Sequence, residues 1–263
     1  MSTRLKAIAR ETVAIVERGS YRTATGTVTF DVTPAVTGTR LYTPDDVLEL
    51  PEQGELPRVD VTDESTLAAT RRLGGDVAAL VFASARNPGG GFLNGAQAQE
   101  ESVARASALH ACLLAAGDFY AHHRAHDDLG YSDRVIHSPG VPVFRDDWGE
   151  LLPAAYPVSF LTAAAPNLGA IRRNQPERAA AVPGQLRRRA TRVLQVAAAH
   201  GHRRLVLGAW GCGVFANDPT TVAQAFHGAL RDCRFFDHVV FAVLDRQRDT
   251  PTLAAFTSVF AAR

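Results

Sequence analysis

Cysteine is scarce in this 263-residue chain, with only Cys112, Cys212 and Cys233 and no C-x-x-C pair among them. Three thiols cannot all pair with one another, and without paired spacing neither a disulfide framework nor a zinc ribbon is expected. A reducing cytoplasm is the setting this predicts. An excess of charge of either sign is also lacking. Lys and Arg total 28 against 27 Asp and Glu, a formal net charge of +1. No global basic field exists to grip a polyanion, so an anionic ligand has to be held locally. Long apolar runs are missing as well. The opening residues MSTRLKAIARETVAIVERG carry charge every few positions, and no run reaches the ~18 residues of a membrane span. This predicts neither a signal peptide nor a membrane helix. What is present in quantity is core material, with 46% hydrophobic residues, enough for one large core without covalent staples.

Patterning divides the chain into two parts. Residues 3–18 predict an amphipathic helix through Leu5, Ile8, Val13 and Val16, stopped by Gly19. Residues 22–43 alternate apolar and polar positions around Val28, Phe30 and Val32 and predict strands, and residues 44–57, rich in Pro, Asp, Glu and Gly, predict a linker. The expected division is therefore an N-terminal helix and β extension over 1–57, packed on a catalytic core over 58–263. In the core, short apolar runs at 77–84, 134–140, 156–164, 203–210 and 237–245 predict buried strands. Helices are expected between them at 101–116 with Gly117 as the stop, at 184–200, from Asp218 and Pro219 onward, and from Thr252. Such alternation predicts an α/β fold, a mixed and largely parallel sheet flanked by helices, with ligands at the carboxyl ends of the strands.

Two glycine-rich loops leave predicted strands at that edge. VAALVFAS runs into ARNPGGGFLNGAQAQEES, and RRLVLGAW opens into GCGVFAND before the helix at Pro219. Glycines allow close backbone approach, and free N–H groups beside a helix N-terminus favour an anion such as a diphosphate. Neither loop has the G-x-G-x-x-G order or a G-K-[ST] ending, which argues against a Rossmann dehydrogenase and a P-loop enzyme. The first loop ends in Gln99, Glu100 and Glu101. Adjacent helical residues diverge by roughly 100°, so the two carboxylates cannot face one another across a bond and must do different work. One can protonate a leaving oxygen while the other holds hydroxyls, with burial and mutual repulsion raising the acid's pKa. Acidic residues in a helix's first turn also arise simply by complementing its dipole.

GGGFLNGAQAQEE, residues 89–101, with a seven-residue FLNGAQA spacer before Gln-Glu-Glu, resembles the signature of poly(ADP-ribose) glycohydrolases. GCGVFAN, residues 211–217, is similar to that family's diphosphate loop. The resemblance covers most of the chain and points to the compact bacterial type. It implies a macrodomain-like fold and hydrolysis of the ribose–ribose bonds of poly(ADP-ribose). It assigns Glu101 as the acid that protonates the departing ribose oxygen and Glu100 as the residue positioning ribose hydroxyls. It has Gly89, Gly90 and Gly91 shape the loop around the terminal ribose beside Gln99, with Asn87 near the distal ribose. Gly211, Cys212, Gly213 and Val214 would hold the diphosphate through backbone N–H groups, Phe215 would pack on the terminal ribose, and Asn217 is counted with them as substrate-binding.

No cofactor and no metal is implied. The implied ligands are poly(ADP-ribose), ADP-ribose and ADP-ribosylated proteins, taken by a monomer. Nucleic-acid binding is not expected, because a basic patch with interleaved aromatics is lacking, and no membrane association is expected. A non-catalytic ADP-ribose reader and a mono-ADP-ribosyl hydrolase remain alternatives, and exo or endo cutting and the adenine contacts stay open. Of the other signals, His122, His123 and His126 are read as a solvated loop or helix end and His110 as a core residue. Cys212 is read as a small wall residue, and Arg187, Arg188, Arg189 and Arg192 as solvated surface.

Overall fold

A computed structural model describes residues 2–261. Helix α1, Thr3–Arg18, is capped by the Ser2 side chain and ends at Gly19 with φ 65°. Its deepest line is Ala9, Thr12 and Ile15 rather than the larger apolar residues beside them. Small side chains let the helix approach the core closely, and the Thr12 hydroxyl donates to the Arg105 carbonyl at 2.6 Å. Buried Arg145 fastens the same face by donating to Thr12 Oγ1 at 3.1 Å and to Glu11 at 2.8 Å.

The segment expected as strands over 22–43 is only partly so. Strands β1 (Ser20–Thr23) and β2 (Gly26–Thr29) form a separate antiparallel hairpin, and a short helix α2, Thr33–Thr37, follows before β3, Arg40–Tyr42. Pro34 fits the first turn of α2, and Asp31 accepts from the Thr33 N–H at 2.8 Å, so local capping overrides the β pattern.

The main sheet adds β4 (Arg58–Thr62), β5 (Ala78–Phe82), β6 (Val135–Arg145), β7 (Leu151–Ala163), β8 (Arg204–Gly208) and β9 (His238–Ala242). The order across it is β3-β6-β7-β5-β8-β9-β4. Pairings from β7 through β4 are parallel, while β7–β6 and β6–β3 are antiparallel. The expected mixed, largely parallel sheet is therefore present, with β3 from the N-terminal segment forming one edge.

Helices cover both faces, and alternate strand residues divide between them, which is why these strands read as continuous apolar runs. Leu80, Leu205 and Phe241 pack toward α8 (Val182–Ala199), α9 (Pro219–Asp232) and α10 (Pro251–Ala261). Val81, Val206 and Val240 pack toward α3 (Thr66–Leu73), α4 (Gln99–Ala106) and α5 (Leu109–Ala115). The short α7, Leu168–Asn174, lies beyond β7. No described helix is long and apolar enough to cross a membrane.

Three readings need correction. The helix expected over 101–116 is interrupted at Ser107, which pairs with Val143 of β6 and caps Leu109. Gly117 then opens α6, Gly117–Ala125, instead of ending the helical stretch. The histidine stretch is thus the end of α6, with His123 buried and its Nε2 2.8 Å from Ser132 Oγ. The arginine run is not all solvated: Arg189 is 1% exposed and bonded to Asp133 and three carbonyls, while Arg192 donates to the Thr43 and Asp46 carbonyls.

Candidate active site

A cleft of about 1100 Å³ opens over the carboxyl ends of β4, β5, β8 and β9. Both glycine loops enter it, because each follows one of two adjacent parallel strands that end on the same side. Asn87, Gln99, Glu100, Glu101, Gly211, Cys212, Gly213, Val214 and Phe215 all line it.

The first loop is a tight wrap around the two carboxylates. Gly90 N–H donates to the Asn87 carbonyl at 3.0 Å, and Gly91 N–H donates to Glu101 Oε1 at 3.0 Å. Gly90 has φ 59°, and a Cβ there would collide with Glu101 Oε1 and stand 3.0 Å from Glu100 Oε2, so glycine is required. Gly89, Gly90 and Gly91 are thus backing for the glutamates and do not line the cleft themselves. The loop is buttressed from behind by α1. Phe92 is fully buried against Ala9 and Ala104, and the His110 ring lies 4.7 Å from that of Phe92, tilted by 59°, in keeping with the core reading of His110.

The two glutamates differ sharply. Glu100 is 3% exposed, with Oε2 accepting from the Ser84 N–H at 2.6 Å and Oε1 lacking any hydrogen-bond partner. Burial pushes its carboxyl well above the usual carboxylate range, the Glu101 charge adds to this, and the Ser84 N–H opposes it. Glu101 is half-buried and holds one oxygen on the Gly91 N–H, which leaves the other free to serve a ligand. Gln99 ties the helix start to β5: its Oε1 accepts from the Phe82 N–H and its Nε2 donates to the Leu80 carbonyl. Its side chain acts as a bracket between α4 and the sheet.

The second loop has the form of an anion cradle. Among the described residues the N–H groups of Gly213, Val214 and Phe215 make no hydrogen bond, and Asp218 caps α9 just beyond them. Gly211, at φ 73°, leaves no room for a Cβ against Ala165 and Asn217. Buried Asn217 donates to the Pro166 and Gly211 carbonyls, closing the loop from beneath without lining the cleft. Cys212 is half-buried, and burial pushes its thiol up to about 12, consistent with a wall residue.

Other lining residues were not foreseen. Glu64, Ser65 and Thr66 follow β4, Asp147 and Trp148 tip the β6–β7 hairpin, Tyr131 follows α6, and Asp245, Arg246 and Gln247 follow β9. The alternation in RVDVT could have revealed β4 and hence Thr66. Nothing local marks Trp148 or Tyr131. Among the described residues no group of three or more His, Cys, Asp or Glu side chains is arranged to hold a metal ion.

Residues 9–146 match the family model described as microbial-type PARG, catalytic domain. The chain is similar to the crystal structure of poly(ADP-ribose) glycohydrolase from Thermomonospora curvata at 50% identity and a TM-score of 0.92, covering 98% of this chain and 100% of that one. The same enzyme bound to the inhibitor ADP-HPD matches at 50% identity and a TM-score of 0.88, over 98% and 99% of the two chains. Poly(ADP-ribose) glycohydrolase from Deinococcus radiodurans in complex with ADP-ribose matches at 46% identity and a TM-score of 0.82, covering 87% and 96%. No curated protein matches the chain.

Proposed function

The chain belongs to the microbial-type poly(ADP-ribose) glycohydrolases, and on that footing we propose how its own residues carry the reaction. The enzyme is a glycoside hydrolase that splits the ribose–ribose bonds of poly(ADP-ribose) and releases ADP-ribose. The observation that carries the assignment of roles is the unequal glutamate pair set between a loop that wraps it and a cradle of free N–H groups.

In this reading the diphosphate lies on the N–H groups of Gly213, Val214 and Phe215, with Gly211 and Asn217 shaping that loop and Cys212 in its wall. The terminal ribose rests against Phe215, and the distal ribose lies near Asn87. Glu101 is the acid. As a neutral carboxyl, its Oε1 accepts from Gly91 while Oε2–H donates to the departing ribose oxygen as the glycosidic C–O bond breaks. The nearby diphosphate offsets the positive charge that develops on the ribose ring. Water then attacks the anomeric carbon and returns its proton to Glu101, leaving the enzyme unchanged. Glu100, anchored at the rear on Ser84, lines the cleft with its Oε1 unpaired and is assigned the ribose hydroxyls.

A second assignment exchanges the glutamates, favoured by the raised pKa of Glu100. Its weakness is relative exposure, since Glu100 is 3% exposed with Oε2 already held by the Ser84 N–H, whereas Glu101 is half-buried and the more open of the two. Glu101→Gln and Glu100→Gln separate the two. Loss of the hydrolytic step with retained ADP-ribose binding belongs to whichever residue is the acid.

Residues 1–57 are treated as an extension that braces the core of residues 58–263, since α1 supports the loop carrying the glutamates and β3 completes the sheet edge. ADP-ribosylated proteins in the cytoplasm are the proposed targets of a monomeric enzyme that uses no metal or cofactor.

A further inference from the structure

Three exposed arginines from separate segments gather around the part of the cleft wall formed by Tyr131 and Phe215, whose rings lie 6.0 Å apart. Arg86 lines the cleft directly beside Asn87. Arg124, at the end of α6, donates from Nη1 to the Arg86 carbonyl at 2.7 Å, and its neighbour His123 meets Tyr131 edge-on with ring centres 5.6 Å apart. On the other flank α7 packs against the second glycine loop. The Gly169 N–H donates to the Phe215 carbonyl at 2.9 Å, and Arg173 Nη1 lies 3.8 Å from where a Cβ on Gly169 would stand. Contact by contact, Arg86, Arg124 and Arg173 rim the end of the cleft that holds Asn87 and Phe215.

Their charge is not spent on the protein itself. Among the described residues none of the three forms a salt bridge. Of the acids on neighbouring segments, Asp128 is held by Arg178 at 3.0 Å and Asp133 by Arg188 and Arg189, which leaves Asp127 and Glu177. The rim on the α4 side of Glu101 has the other sign. It presents Asp147 and the exposed Trp148 beside Gln97 and Ser102. A polyanion leaving the site therefore meets free positive charge on one side and a carboxylate on the other.

We propose that Arg86, Arg124 and Arg173 form an exit track for the polymer beyond the bond being cut, holding the diphosphate of the next unit. This rests on the glycohydrolase reading above. The departing chain has to continue from the ribose at the scissile bond, and Asn87 and Phe215 are the residues assigned to the riboses of the bound unit. Every further unit brings a diphosphate, and the planar fork of a guanidinium suits phosphate oxygens. Arg124 and Arg173 stand outside the lining of the cleft, so they serve the continuing chain and not the ADP-ribose bound within it.

The test uses the full chain, with long purified poly(ADP-ribose) as substrate and ADP-ribose as the ligand for comparison. In ~20 mM salt, Arg124→Gln combined with Arg173→Gln should raise KM for the polymer about 3- to 10-fold, the scale of two charges acting through water on a diphosphate. The increase should shrink to within about 2-fold in ~0.5 M salt, where such charges are screened. At low salt kcat and the Kd for ADP-ribose should stay within about 2-fold of wild type, and Arg124→Lys with Arg173→Lys should keep the wild-type KM because the charge survives. Thermal melting reports folding, and Arg173→Gln alone, with an expected ~2- to 3-fold rise, replaces the double variant if that is recovered unfolded. A folded Gln variant with the wild-type KM in low salt overturns the proposal, as does a loss that the Lys variant shares in full or that persists in high salt. Equal weakening of ADP-ribose binding overturns it as well, by placing these arginines in the site of the bound unit. Wild type that releases no ADP-ribose from the polymer overturns the glycohydrolase reading instead.

Discussion

Replacing Gly90 with alanine separates two physical effects that the structure predicts at one position. The first is backbone strain. Gly90 sits at φ 59°, and an L-residue in that region costs roughly 1–2 kcal/mol, which for a domain of this size lowers Tm by about 2–6 °C. The second is displacement. A Cβ at Gly90 overlaps Glu101 Oε1 and lies 3.0 Å from both Glu101 Cδ and Glu100 Oε2. Relief requires the Glu101 carboxyl to move by ~1 Å, and misplacement on that scale costs on the order of 100-fold in turnover. Gly140, outside the cleft, supplies the control: it has φ 54° with nothing within 4 Å of a built Cβ. Gly140→Ala should lose similar Tm and keep its activity. The assay is the initial rate of ADP-ribose release from poly(ADP-ribose), normalised to the folded fraction by melting. If Gly90→Ala turned over as fast as Gly140→Ala, the idea that this loop holds the acid in place would be wrong.

Other predictions follow from buried groups. The raised pKa of Glu100 means that native protein keeps this proton to higher pH than the unfolded chain does. Its stabilising contribution is therefore full below the unfolded carboxyl pKa of about 4.3 and is lost as pH rises through the native value. Glu100→Gln should gain stability relative to wild type as pH increases in urea titrations, and a difference that is flat with pH contradicts this. Arg189→Leu leaves Asp133 and three carbonyls without their donor and should cost about 3–5 kcal/mol in urea unfolding; a loss below about 1 kcal/mol counts against the buried lock. Cys212, with its thiol pushed up to about 12, should resist iodoacetamide at pH 8, so rapid inactivation that tracks its alkylation would show a more reactive site. Hydrolysis should also persist in a chelator, and loss reversed by added metal would rule out the metal-free mechanism.

Much of the cleft was legible because its chemistry is local. The runs GGGFLNGAQAQEE and GCGVFAN each follow a buried strand, and parallel strands deliver their loops to one edge. What stayed hidden depends on distant pairing. Ser107 breaks a good helical pattern because β6 captures it at Val143. Arg189 reads as one of a basic run until Asp133 and the carbonyls of Gly130 and Tyr131 close around it from a loop more than fifty residues earlier. Trp148 reaches the cleft through a hairpin whose tip is tied to Ser65 by Asp147, a contact with no trace in the neighbouring sequence. The unequal burial of Glu100 and Glu101 likewise comes from the end of β5 folding over one and not the other.

The most direct test of the account compares wild type with Glu101→Ala for release of ADP-ribose from purified poly(ADP-ribose), with ADP-ribose binding measured on both. Release by wild type alone, with binding retained by both proteins, is the predicted result. Undiminished release by Glu101→Ala would contradict the acid assignment, and binding without release by wild type would contradict glycohydrolysis itself.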